Sequence, residues 1–130
     1  MTPGHWIFAS ASALMLAIAP AAAQPASHGG QCFSSTRFEN WRAPDARTIY
    51  IRVRANQYFR LDLAGECSAL RVPGAQLITT FRGSDMVCSA LDWDLKVSAG
   101  LDNTVEPCLV KTMTRLAPAE VAALPEKVRP

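Results

Sequence analysis

The sequence predicts a mainly β protein, a small antiparallel sheet or partly closed barrel of about five or six strands, closed by one short helix and held by two disulfides. Three observations carry this. Two adjacent runs alternate strictly between apolar and polar residues, the last stretch changes to a helical period, and four cysteines follow a cleavable-looking leader.

The first alternating run is Arg47–Arg54 (RTIYIRVR). Ile49, Ile51 and Val53 fall on one face; Thr48, Tyr50, Arg52 and Arg54 fall on the other. In the second, Tyr58–Leu63 (YFRLDL), Phe59, Leu61 and Leu63 alternate with Tyr58, Arg60 and Asp62. A side-chain period of two means that a two-residue loop would set apolar residues against polar ones. The hairpin therefore needs an odd loop. With Arg54-Ala55-Asn56 as that loop, Asn56 takes the left-handed position and Ile51 meets Phe59, Ile49 meets Leu61, Arg52 meets Tyr58, Tyr50 meets Arg60 and Thr48 meets Asp62.

Upstream, Phe38 and Trp41 read as core contacts and Pro44-Asp45 as a turn. Downstream, Gln76–Arg82 (QLITTFR) is rich in β-branched residues and stops at Gly83-Ser84, and Met86–Cys88 is a short strand. Leu91–Val97 (LDWDLKV) alternates, with Leu91, Trp93, Leu95 and Val97 expected inward and Asp92, Asp94 and Lys96 outward. A turn over Gly100–Thr104 leads to a last strand, Cys108–Arg115. Pro118–Leu124 (PAEVAAL) begins with proline at the first helical position and stops before Pro125, the pattern of a short helix.

The chain has 130 residues and a formal net charge of +2. That length suits one domain, and so small a charge gives no long-range attraction to nucleic acid. From Trp6 to Ala19 every residue is apolar or small, a run shorter than the roughly 20 residues a membrane-spanning helix takes. Pro20 and the triplet Ala21-Ala22-Ala23 follow, as in a secretory signal peptide cut after Ala23, although the first residues carry no Lys or Arg. Residues 1–23 are thus expected to be a signal peptide, 24–31 a flexible leader and 32–130 a single disulfide-stapled β-rich domain. The mature protein would be periplasmic or extracellular, with no stable membrane span.

Cys32, Cys67, Cys88 and Cys108 are even in number and contain no C-x-x-C pair, so export implies two disulfides rather than a zinc ribbon or a redox motif. Three connectivities exist. The favoured one joins Cys67 to Cys88, closing the middle strands, and Cys32 to Cys108, tying the first residues of the domain to its last strand. Each loop would stabilise by roughly 3–4 kcal/mol in the chain-entropy view.

Cys32-Phe33, the Trp41-Arg42…Asp45 segment, the hairpin end Leu63–Cys67 (LAGEC) and the run Pro107–Leu116 (PCLVKTMTRL) together resemble an uncharacterised family of small exported four-cysteine proteins of Gram-negative bacteria. The resemblance covers the mature chain and implies export and disulfides. It carries no catalytic residue, because the family has no assigned activity.

Among candidate sites, the checkerboard of Tyr50, Arg52, Tyr58 and Arg60 is the foremost ligand or partner face. Guanidinium groups beside phenol rings hold anions or stack on sugars and aromatic groups; the plainer account is a solvated sheet face stabilised by cross-strand pairs. Asp92 and Asp94, with Asp85 near them in sequence, offer carboxylates but no calcium-loop spacing, so solubilising charge explains them better. Arg82–Asp85 (RGSD) is read as a turn built on Gly83. His28 is the only histidine beyond residue 23 and sits in the leader, which removes triads of the Ser–His–Asp type. Neither a phosphate-binding loop nor a dinucleotide fingerprint occurs, and no cofactor or metal is expected. The reading is a non-catalytic envelope module that binds an envelope macromolecule or stabilises envelope structure. The alternative is a small periplasmic inhibitor of an enzyme, presenting Gly83–Asp85 or Asp102–Thr104 as its tip. Third comes a hydrolase relying on Asp85, Asp92 or Asp94.

Overall fold

Alternation and two bulges build the sheets. The computed structural model describes residues 31–102 and 104–130; the expected signal peptide and the leader up to residue 30 lie outside the described residues. The strands are β1 (Phe33–Ser34), β2 (Phe38–Arg42), β3 (Thr48–Val53), β4 (Gln57–Leu63), β5 (Gln76–Phe81), β6 (Met86–Val87), β7 (Trp93–Ala99), β8 (Thr104–Pro107) and β9 (Val110–Arg115), followed by helix α1 (Pro118–Ala123). They form a four-stranded sheet β2-β3-β4-β9, a three-stranded sheet β5-β7-β8 and a two-stranded ladder β1-β6, and every pairing is antiparallel. The fold is mainly β, as expected, but the sheets do not close into a barrel. Strands β1, β2 and β8 add to the six expected.

The β3–β4 hairpin has the expected register, from Thr48 opposite Asp62 to Arg52 opposite Tyr58, with Val53 opposite Gln57 across a three-residue loop. The left-handed residue is Arg54 (φ 57°), not Asn56. Tertiary bonding accounts for the change: Arg54 N–H donates to the Arg37 carbonyl at 3.1 Å, which turns the first loop residue toward the segment entering β2. Ile49, Ile51, Val53, Phe59 and Leu61 are all fully buried.

Bulges rescue the two strands whose apolar residues are spaced by three. In β2, a shift between Phe38 and Asn40 lets Phe38 face Val53 and Trp41 face Ile51, so both pack against the core. In β4–β9, a shift between Asp62 and Leu63 lets Val110 and Met113 both point inward. Across the core, β7 buries Trp93, Leu95 and Val97. Leu91 contradicts the expectation: it lies in a 3-10 turn, Ala90–Asp92, and is 83% exposed. Ser89 starts that turn by accepting from Leu91 N–H, so the strand begins two residues late, at Trp93.

The last expected strand begins two residues late, at Val110. Pro107 ends β8, Cys108 N–H donates to the Leu95 carbonyl, and the Leu109 carbonyl accepts from Ala64 N–H, so the chain crosses from one sheet to the other at that corner. Helix α1 has Pro118 at its first position, Glu120 accepting from Ala117 N–H at 2.6 Å, and Arg129 donating to the carbonyls of Ala122 and Leu124 at its end. Among the described residues, no helix is long and apolar enough to cross a membrane.

The disulfides are Cys32–Cys88 and Cys67–Cys108, and this corrects the expected pairing. The β1–β6 ladder sets Phe33 opposite Val87, and one step further out the same register sets Cys32 opposite Cys88. Loops of 56 and 41 residues are closed, each stabilising by about 4 kcal/mol in the chain-entropy view.

Non-reducing peptide mapping is expected to recover the Cys32–Cys88 and Cys67–Cys108 peptides. Under mild reductant without denaturant, the bridge with the exposed Cys88 should open before Cys67–Cys108, whose sulfur-bearing residues are buried. In denaturant titrations, Leu95→Ala should cost about 2–5 kcal/mol and Leu91→Ala less than about 0.5 kcal/mol.

Candidate functional site

The inward burial of Ile49, Ile51, Phe59 and Leu61 dictates, through the two-residue period, that Tyr50, Arg52, Tyr58 and Arg60 share the opposite face of the four-stranded sheet. Arg52 lies opposite Tyr58 and Tyr50 opposite Arg60, so the four form the expected checkerboard. The neighbouring strands complete it: Asn40 lies beside Arg52, Arg42 beside Tyr50, and Thr114 beside Arg60.

Neither arginine is a free cation. Arg52 Nε lies 3.2 Å from Glu39 Oε2, a carboxylate supplied by the β2 bulge; this Nε is buried and has no well-aligned hydrogen bond. Arg60 donates from Nε to Asp62 Oδ1 at 2.8 Å, and this hydrogen bond, ahead of simple charge attraction, raises its pKa above the ordinary arginine value. The second oxygen of Asp62 accepts from Thr112 Oγ1 at 3.0 Å. Arg52 and Arg60 are thus ion-paired, with half-buried tyrosines between them, while Arg42 bonds Asn40 Oδ1 and the Trp41 carbonyl. That composition favours stacking and hydrogen bonding to a polar, largely uncharged surface over capture of a bare anion. At its edge, Tyr58 joins Asn56, Leu116, Pro118 and Val121 around a cleft of ≈ 420 Å³. The cleft exists because Leu116 N–H bonds the Tyr58 carbonyl, which brings the start of α1 beside β4.

The acidic candidates are not brought together. Asp92 does not project from the strand face with Asp94; it accepts from Cys88 N–H and Ser89 N–H, both at 2.8 Å, and those bonds lower its pKa. Asp94 pairs with Lys96 at 3.8 Å, and Asp85 accepts from Ser35 N–H through its backbone carbonyl. Gly83, with φ 94°, makes the turn that its neighbours implied.

Sequence reasoning missed Glu106. It faces inward on β8 two residues before Cys108, so it reaches the same Cys67-Ser68 corner as the disulfide. There it accepts from Ala69 N–H at 2.7 Å, and from Ser68 N–H and Oγ, capping the 3-10 turn Ser68–Arg71. The Ala69 bond is the main cause of its lowered pKa. The contact spans 37 residues, so no local motif announces it. Among the described residues, Cys67, Glu106 and Cys108 also form the one cluster of metal-ligating types, but its sulfurs are joined to each other and offer no thiolate.

Fold and face together define a small, disulfide-stapled antiparallel β protein with an aromatic–arginine sheet face. A model described as a family of unknown function, DUF6491, matches residues 4–130, and the chain belongs to that family. No curated protein and no solved structure matches it.

Asp92 and Glu106 have folded pKa values below their unfolded ones. Their contribution to stability is thus present above the ordinary carboxylate pKa and lost as pH falls through the lowered folded value. Denaturant midpoints should drop as pH falls below about 5. Asp92→Ala and Glu106→Ala should each lower the neutral-pH stability, by about 1 kcal/mol for a lost cap, and flatten the pH profile.

Proposed function

We propose that this protein is a non-catalytic module exported to the envelope of Gram-negative bacteria, binding an envelope macromolecule through the Tyr50–Arg52–Tyr58–Arg60 face. The observation that carries the reading is the register of β3 and β4, which gathers two phenols and two guanidinium groups on one side of a hairpin whose other side fully buries Ile49, Ile51, Val53, Phe59 and Leu61. Such a face is pre-organised, because moving any of its side chains out of register would expose the core. The ion pairs with Glu39 and Asp62 hold the guanidinium planes, and the cleft beside Tyr58 gives an apolar foothold next to them. Export is supported by the signal-like apolar run of residues 6–19, which the family match includes, and by two disulfides that an oxidising compartment would maintain.

Photo-crosslinking in the native envelope tests this. A photoreactive residue replacing Tyr50 or Tyr58 is expected to capture one defined macromolecule, and one replacing exposed Leu91 is not. Arg52→Ala with Arg60→Ala should reduce capture about tenfold, equivalent to ~1.4 kcal/mol. Each change should cost only about 0–1 kcal/mol of stability. Equal capture from all three positions, or none from the face, would overturn the proposal.

A further inference from the structure

A sheet edge left open is a template for another strand, and proteins usually blunt such edges with charge, proline, bulges or side chains that cap the outward backbone. Three edges of the two larger sheets are blunted here. On β2, the shift at Phe38–Asn40 breaks the ladder, the Trp41 N–H is taken by Asn40 Oδ1 at 2.8 Å, and the Trp41 carbonyl is taken by the Arg42 guanidinium at 2.9 Å. Strand β8 is four residues long and ends in Pro107. Strand β9 carries Lys111 and Arg115 and is offset by the Asp62–Leu63 bulge.

Strand β5 has none of these devices. Gln76–Phe81 (QLITTF) contains no charge, proline or glycine, pairs with β7 without a bulge, and exposes Ile78 on its outer face. Its composition is that of a strand that pairs readily. Arg82 N–H donates to the Asp92 carbonyl in the register that continues Phe81 opposite Trp93. The antiparallel alternation then directs the backbone of Thr80, Ile78 and Gln76 toward β7, and that of Leu77, Thr79 and Phe81 toward the open side.

We propose that this edge is a dimerisation surface, on which β5 of a second copy of the chain pairs antiparallel about a two-fold axis through Thr79. Self-complementarity selects the occupant. With Thr79 opposite its own copy, Leu77 falls opposite Phe81, so every outward-directed backbone group of Leu77, Thr79 and Phe81 gains a partner. The same register sets Ile78 against Thr80 on the outer face, both β-branched, and the half-buried Leu77 against the half-buried Phe81 on the inner face. Arg82 falls opposite uncharged Gln76, so no like charges oppose each other. A six-stranded sheet, β8-β7-β5-β5-β7-β8, runs across the two copies.

The full chain, purified as the cell leaves it with both disulfides intact, is examined by sedimentation from micromolar to near-millimolar concentration. The expected result is a monomer that doubles in mass, while amide exchange at Leu77, Thr79 and Phe81 slows by about tenfold and that at Ile78 and Thr80 stays slow throughout. Ile78→Lys and Thr80→Lys, each on the solvent side of the strand, should abolish the doubling with the circular-dichroism spectrum unchanged. A second variant, Leu91→Lys, at a still more exposed position off the edge, should dimerise like the parent. A protein that stays monomeric across the range, or a dimer that leaves the three amides unprotected or survives both β5 lysines, overturns the proposal.

Discussion

The position of Phe33 is the constraint on which the rest of the architecture depends. Its ring meets Phe59 of the four-stranded sheet at 5.1 Å between centroids, and Phe81 and Trp93 of the three-stranded sheet at 6.4 and 6.0 Å. One side chain from a two-residue strand thus touches both walls of the core. Aromatic contacts of this kind add to the burial of the rings themselves. The Cys32–Cys88 bridge sits one residue away and prevents the short β1–β6 ladder from fraying, which two residues of pairing could not do alone. At the other end, Cys67–Cys108 and the Glu106 cap hold the corner where the chain passes between sheets. Sulfur and one carboxylate therefore secure the two places where regular hydrogen bonding runs out.

The rigid interior is what lets the outer face of the four-stranded sheet serve as a surface of defined shape. Tyr50, Arg52, Tyr58 and Arg60 are each held in place by an inward-facing neighbour that is fully buried. Arg52 and Arg60 are paired within the sheet, and Glu39 belongs to that pattern only because the bulge in β2 turns it toward Arg52. A balanced face of this type recognises by contour, stacking and hydrogen-bond geometry, with little dependence on long-range attraction. That agrees with the small net charge of the chain.

The edges follow a second logic. On β2, side chains next to the exposed backbone satisfy it locally, whereas among the described residues nothing covers the outward backbone of β5. The contrast arises from sequence: Asn40 and Arg42 flank Trp41, but nothing polar and long enough flanks Thr79. Face and edge lie on different sheets, so a change to one leaves the residues of the other untouched.

The sequence by itself determined whatever depends on local periodicity. The register of β3 with β4, the composition of the tyrosine–arginine face, the inward set Trp93, Leu95 and Val97, and the proline-started helix are all consequences of alternation or of capping chemistry within a few residues. Only the tertiary structure decided the rest. Leu91 continued an alternating pattern, but Ser89 and Asp92 drew it into a turn. Cysteine pairing depended on which strands became neighbours, so Cys32 met Cys88 across a ladder too short to be read from composition. Arg54 took the left-handed turn position because the Arg37 carbonyl waited in the 3-10 turn ahead of β2. Glu39 and Glu106 found partners through a bulge and across a chain separation of 37 residues. The physical reason is common to all of these: a period binds residues to their neighbours in sequence, but a hydrogen bond or a disulfide needs only nearness in space, and that is created by the packed sheets.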